Sequence, residues 1–172
     1  MAILQTSDFV GNYKVSTSRF TELQWYIDNY EKYYLTRLLG ADLYTAFIAD
    51  LTGTTPQIPQ TTRFIELFNS FISITSYTSS LVISEGIKTM LIQFVYFHYV
   101  RNSNQYNSIA GQVVPSNENS GQANYLGTNL IEVYNQGVVN YINIQLLAES
   151  DASKYPEIKQ TNPEYLHLAS GI

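Results

Sequence analysis

The sequence predicts an all-α fold: a small bundle of about four to five helices, with a long loop or β-hairpin arm at about 102–127 and an extended C-terminal arm. Three observations predict it. Apolar residues recur at steps of three and four along several stretches, the spacing that lines one face of a helix. The intervening segments are rich in Gly, Pro, Asn and Thr, the composition of loops and turns. Beyond Glu149 the periodicity ends in a polar stretch carrying Pro156 and Pro163. The chain has 172 residues, enough for one core, and divides into an N-terminal segment 1–19, a helical domain 20–148 and an arm 149–172.

Residues 1–19 carry little periodicity. From Phe20 the positions Phe20, Leu23, Ile27, Tyr30, Tyr34 and Leu38 share a face, with Thr21 and Glu22 at the start and Glu31 and Lys32 expected on the wet side. Gly40 fits a stop or sharp bend. A second pattern, Leu43, Tyr44, Phe47, Ile48 and Leu51, restarts at once, so two helices are expected to meet in a corner at that glycine. Residues 52–59 read as a loop. Phe64, Ile65, Leu67, Phe68, Phe71 and Ile72 predict a short helix of about three turns. The hydroxyl-rich stretch 73–80 fits either a loop or a short strand.

Ser84 reads as an N-cap, with Glu85 in the first turn complementing the helix dipole. The helix from about Glu85 to Arg101 is apolar nearly all round, through Ile87, Met90, Leu91, Phe94, Val95, Phe97 and Val100, which predicts a central helix with several neighbours. Residues 102–128 form a long polar segment rich in Asn and Gly, and within it 108–114 fits a strand or one arm of a hairpin. A polar loop of that length in a compact domain is usually either functional or disordered. Thr128 is expected to cap the last helix, lined by Leu130, Ile131, Tyr134, Val138, Tyr141, Ile142 and Gln145. Gly137 inside it costs about 1 kcal/mol against Ala, and close approach of another backbone would offset that cost.

Composition narrows the function classes. Lys and Arg number 9 against 14 Asp and Glu, for a net charge of −5, and charged residues are 13% of the chain. Asn, Gln, Ser and Thr together make 56 residues, and there are 15 Tyr. Neutral amides and hydroxyls thus supply most of the polarity, where globular proteins use about 25% charged residues. Tyr is enriched and Lys and Glu are depleted at protein interfaces, so this balance fits a surface that meets other proteins. A basic nucleic-acid binder is excluded, since phosphate neutralisation requires clustered Lys and Arg. With no Cys there are no disulfides, thiol nucleophiles or thiolate metal ligands. The N-terminus lacks a basic start and a long apolar run, and no stretch reaches the roughly 20 apolar residues of a membrane span, so a protein made in the cytoplasm and without membrane contact is expected.

Catalytic patterns are sparse. No Gly-rich phosphate loop or Gly-x-Ser-x-Gly elbow occurs. The two histidines, His98 and His167, are too few and too far apart for a zinc site of three or four ligands, and His98 in an aromatic run reads as a core imidazole. The spacings Asp28–Glu31 and Asp42–Asp50 permit acid–base pairing but are those of ordinary solvated helix faces. An enzyme or ligand-binding protein using His98 with Asp28 or Glu85 is the alternative reading of these residues; no enzyme, cofactor or metal is expected.

Several strings carry a resemblance: Tyr34-Leu35-Thr36-Arg37-Leu38-Leu39-Gly40-Ala41-Asp42-Leu43-Tyr44, then Gly86-Ile87-Lys88 through Phe94-Val95-Tyr96-Phe97-His98-Tyr99-Val100-Arg101, Gly111-Gln112-Val113-Val114, Glu118-Asn119-Ser120 and Tyr134-Asn135-Gln136-Gly137-Val138. In this order they resemble head-to-tail connector proteins (head completion or adaptor proteins) of tailed phages and prophages of Bacteroidetes, over roughly residues 20–147. The resemblance implies a virion protein of the neck, a homo-oligomeric, twelve-fold ring that joins the portal protein to tail or stopper proteins while DNA passes through its centre. A neck stopper or tail-completion protein is the alternative within the same region. Loops and termini of such proteins reach neighbours, which marks Asn107, Gly111, Val113, Val114, Asn119, Tyr125, Tyr155 and Tyr165 as interface candidates. A ring requires a head-to-tail contact that closes on rotation, extended arms can add strands to a neighbour, and a net negative conduit does not grip phosphates.

Overall fold

Gly40 decides the course of the first long helix. In the computed structural model, which describes residues 2–54, 56–74, 81–103, 106–108, 111–113 and 121–158, α1 (Phe20–Asp50) is broken at Gly40, whose φ of 68° and ψ of 174° lie in a region essentially reserved for glycine. The two helical pieces meet there in the expected corner. Leu23, Ile27, Tyr34, Leu35 and Leu38 are buried on the first piece, and Leu43 and Phe47 on the second.

The expected loop after α1 is closed by a short antiparallel ladder, β1 (Leu51–Thr52) against β2 (Ile58–Pro59), with Leu51 opposite Pro59. Asp50 Oδ2 accepts the backbone N–H groups of Gln60 and Thr61 at 2.8 and 3.0 Å, so the end of one helix supplies a cap for the next. Helix α2 (Thr62–Phe68) is shorter than its apolar spacing predicts. Phe71 and Ile72 leave it to join β3 (Phe71–Ile74), which pairs antiparallel with β4 (Leu81–Ser84) in the register Phe71–Ser84, Ile72–Ile83, Ser73–Val82 and Ile74–Leu81. With two β-branched isoleucines, a phenylalanine and a cross-strand partner, this tetrapeptide prefers the pleated surface, and that preference overrides the helical spacing.

Helix α3 (Gly86–Ser103) is the central element. Ile87, Met90, Leu91, Phe94 and Val95 have no exposed surface, and the helix packs against α1, α2 and the last helix. The pair β5 (Tyr106–Ser108) and β6 (Gly111–Val113) realises the hairpin alternative for the arm, with Asn107 opposite Gln112. Helix α4 (Gly121–Ser150) begins seven residues before Thr128, the expected cap. Gly and Asn mask the helical tendency of 121–127, and adding turns to an existing helix costs far less than nucleating one. Gly137 lies under the Phe94 ring, and a Cβ there would sit 3.0 Å from Phe94 Cε1. The close neighbour is therefore an aromatic side chain, not the backbone that the sequence led one to expect.

Both termini depart from expectation. The N-terminal segment 1–19, divided from the helical domain on its lack of periodicity, contributes Ile3, Leu4, Phe9 and Val15 to the core. It is held by Glu31, which was expected to face solvent and is instead 3% exposed. The Glu31 carboxylate accepts the N–H groups of Ile3 and Leu4 at 3.0 and 2.9 Å. A carboxylate buried among apolar groups is tolerated only with such donors. Desolvation still holds its pKa above the usual value, against the pull of those amides. At the other end, the first part of the predicted arm folds back onto α2. Arg63 makes a two-pronged ion pair with Glu157, each N···O distance being 2.9 Å, Lys154 pairs with Glu66, and the Tyr155 hydroxyl donates to the Arg63 carbonyl at 2.8 Å. Residues 159–172 lie outside the described residues.

The chain is thus mostly helical but not purely all-α: among the described residues, four α-helices are accompanied by three two-stranded antiparallel pairs.

Candidate interaction surface

The β3–β4 hairpin carries the strongest surface signal. Because side chains alternate across a strand, Phe71, Val82 and Ser84 turn inward and are buried. Their neighbours Ile72, Ile74, Leu81 and Ile83 turn outward, at 71, 72, 61 and 55% exposure. The register places Ile72 opposite Ile83 and Ile74 opposite Leu81, so four aliphatic side chains form two cross-strand pairs on one face, with no polar residue between them. Single exposed hydrophobics are ordinary, whereas a contiguous group on a regular element marks an interaction surface. Val139 of α4, also exposed, lines a groove with Ile83 and extends the apolar surface onto the helix.

A buried amide network fixes this hairpin to the bundle. Asn140 Oδ1 accepts the backbone N–H of Glu85 at 2.9 Å and the Ser84 hydroxyl at 3.2 Å. Asn140 Nδ2 donates to Gln93 Oε1 at 3.0 Å. Gln93 Nε2 donates to Glu85 Oε2 at 3.0 Å and to the Tyr13 hydroxyl at 3.2 Å. Ser84 was expected to cap the helix with Glu85 in its first turn, but α3 starts at Gly86. Ser84 therefore closes β4 and its Oγ accepts the Gly86 N–H at 3.1 Å, while Glu85 precedes the helix and turns its carboxylate toward Gln93. Asn143 Nδ2 donates to the Ile83 carbonyl at 2.7 Å, tying β4 to α4. A network whose members satisfy one another rigidifies its surroundings. Its chemistry here is positional.

The aromatic belt of α1 and α3 converges on His98. Its Nε2 lies 2.8 Å from the Tyr34 hydroxyl, and its ring stacks on Tyr30 with 3.8 Å between centroids. Burial first, and the nearby Arg101 charge second, lower its pKa to about 4, so the imidazole is neutral at neutral pH. Glu85 is engaged with Gln93 and Asn140, and Asp28 accepts Gln24 Nε2 at 2.9 Å. The structure joins neither carboxylate to His98 by a hydrogen bond. Among the described residues no group of three or more His, Asp or Glu is arranged to hold a metal ion, and no helix is long and apolar enough to cross a membrane.

The interface candidates fall in several places. Asn107 lies on β5, and Gly111 and Val113 on β6, where they pair with Gln112, Ser108 and Tyr106. Tyr125 falls within the first turns of α4. Val114, Asn119 and Tyr165 lie outside the described residues. Tyr155 is a correction: it has no exposed surface and belongs to the core, because the chain turns back at Asp151 and its hydroxyl finds the Arg63 carbonyl. The four outward aliphatics of β3–β4 were not among the candidates. Their signal was the alternation in Phe71-Ile72-Ser73-Ile74 and Leu81-Val82-Ile83-Ser84, obscured by the helical spacing that runs into Phe71. No family model, curated protein or solved structure matches the chain.

Proposed function

We propose that the chain is a structural subunit of a tailed-phage neck, a connector that assembles into a homo-oligomeric ring between portal and tail and lets DNA pass. The observation that carries this reading is the outward face of β3–β4, four aliphatic side chains more than half exposed on a rigidly mounted hairpin. Such a face serves association and has no use in a solitary subunit, where it is an aggregation liability. The low charge and the net −5 suit a wall that DNA slides past. The resemblance of the strings around Gly40, α3 and Gly137 to connector proteins supplies the particular assembly, with a portal protein on one side and tail or stopper proteins on the other.

Electron microscopy of the purified protein, with native mass spectrometry across a concentration range, tests the reading. Closed rings, and the presence of the chain in the neck of purified particles, are expected. A protein that stays monomeric at every concentration and is absent from particles overturns it.

A further inference from the structure

Along the outer side of α4, two clefts of about 360 and 450 Å³ adjoin, and Glu132 and Gln136 line both, so they form one groove. At one end stand Tyr13 and Tyr96, whose rings meet at 70° with 5.6 Å between centroids. An edge-to-face pair of this kind bounds a corner with two ring faces, the surface that attracts a cation. At the other end lie Ile83 and Val139, 55 and 47% exposed. Two carboxylates sit between. Glu85 is anchored through one oxygen, Oε2, to Gln93, and Glu132 is exposed and has no ion-pair partner among the described residues. No Lys or Arg is among the described residues that line the groove. The buried amide network holds this shape, since Gln93 bonds both Tyr13 and Glu85.

We propose that this groove binds an extended peptide segment of another protein, with a Lys or Arg head seated between the Tyr13–Tyr96 corner and Glu132 and an aliphatic side chain resting on Ile83 and Val139. Charge selects the occupant. Two carboxylates with no facing cation repel phosphates and acidic peptides, and the net charge of −5 adds to that field. A cation gains from the ring faces and from the carboxylate together. The apolar end separates a peptide from a small free cation, which would leave Ile83 and Val139 in water. Spacing follows from the backbone. From Glu132 to Val139 the helix rises roughly 10 Å at about 1.5 Å per residue. An extended segment advances about 3.3 Å per residue and turns alternate side chains the same way. The basic and aliphatic anchors therefore stand four positions apart, and the extra length carries the cation past Glu132 to the tyrosine corner. The groove is complete within one subunit, so this partner site is independent of the ring.

The test is an NMR titration of the dilute, nitrogen-15-labelled full chain. The probe is a short peptide with blocked ends, carrying one arginine and one leucine four positions apart in a glycine–serine background. Amide shifts are expected at Tyr13, Ile83, Tyr96, Glu132, Gln136 and Val139. Replacing the peptide's arginine by glutamate should abolish them, and replacing its leucine by serine should weaken binding about fivefold or more. Glu132→Lys, at an exposed position, should lose the arginine peptide and bind the glutamate version instead, with the circular dichroism spectrum and melting temperature of the parent. Absence of groove shifts with the arginine peptide, or equal binding of the glutamate peptide, overturns the proposal. So does a Glu132→Lys protein that binds the arginine peptide like the parent. Groove amides that shift with protein concentration alone assign the surface to a second copy and overturn it as well. Binding is read on the unassembled subunit, so each of these failures leaves the connector reading to its own test.

Discussion

Asn140 Oδ1 accepts the backbone N–H of Glu85 at 2.9 Å, linking the last helix to the residue between the hairpin and the central helix. Asn140 also meets the Ser84 hydroxyl and Gln93 Oε1, and it is 6% exposed. Replacing it by Leu fits the apolar surroundings in size but strands those partners away from water. An orphaned buried polar group costs about 1–3 kcal/mol, so Asn140→Leu should lower the urea-derived unfolding free energy by about 2 kcal/mol or more. A loss below about 0.5 kcal/mol would show that the network contributes little to holding the hairpin.

Two glycines separate strain from crowding. Gly40 and Gly86 both have positive φ, at 68° and 83°. A Cβ on Gly40 meets nothing within 4 Å, whereas one on Gly86 would sit 2.3 Å from the Asn69 carbonyl oxygen. Gly40→Ala should therefore cost the backbone term alone, about 1–3 kcal/mol. Gly86→Ala adds a clash with main chain that has no side-chain rotation to relieve it, and should be the more damaging of the two. Equal losses in parallel thermal melts would contradict the role assigned to Asn69.

Much of this fold was legible because its signals are local. The apolar spacing from Phe20 to Leu38, the glycine at the corner and the all-round apolar character of Ile87 to Val100 act within one element, and the structure follows them. The misread parts depend on partners distant in sequence. Glu31 reads as a surface charge until the amides of Ile3 and Leu4, more than 25 positions away, are brought to it. Tyr155 reads as part of an arm until Arg63 supplies both a carbonyl and a charge for the turn. Of the candidate surface, the hairpin's apolar alternation was present in the letters, but which of its faces stays uncovered is decided by Asn140, Asn143 and α4.

The C-terminal turn provides a test of where the core ends. Tyr155 is fully buried, and Arg63 is bonded to both Glu157 and the Lys154 carbonyl. Truncation after Ile158 keeps all of these contacts. Truncation after Ala148 removes them. Tyr155→Ala alone should cost on the order of 3 kcal/mol, in the range of buried aromatic deletions. If the shorter chain melts like the parent, the turn is not part of the cooperative unit.

His98 makes the stability of the fold depend on pH in a stated direction. Its pKa falls from about 6.5 in the unfolded chain to about 4 in the native state, because burial and then Arg101 disfavour the imidazolium. Between these values the unfolded chain binds the proton and the native state does not, so stability rises with pH there. The contribution is fully present above about pH 6.5 and is lost progressively as the pH falls toward 4. Asp50 and Glu157 act at lower pH. Burial is the largest single influence on Asp50 and pulls its pKa up, but the hydrogen bonds from Thr61 and Gln60 together with the Arg63 charge outweigh it and hold the pKa below its usual value, while the Arg63 hydrogen bond lowers that of Glu157. Both stabilise above their unfolded pKa and lose that effect as the pH falls through the native one. Glu31 acts in the opposite sense: its native pKa is raised by desolvation, so its charged form weighs against the fold as the pH climbs past its unfolded value. His98→Gln removes the imidazole while retaining a polar group for Tyr34, and leaves those carboxylates in place. The difference between parent and variant unfolding free energies should be flat above pH 7 and should shrink, in the parent's disfavour, between pH 6.5 and 4. Parallel curves across that window would mean that the imidazole is protonated equally easily in both states, and the packing of His98 between Tyr30 and Tyr34 could not then be what keeps it neutral.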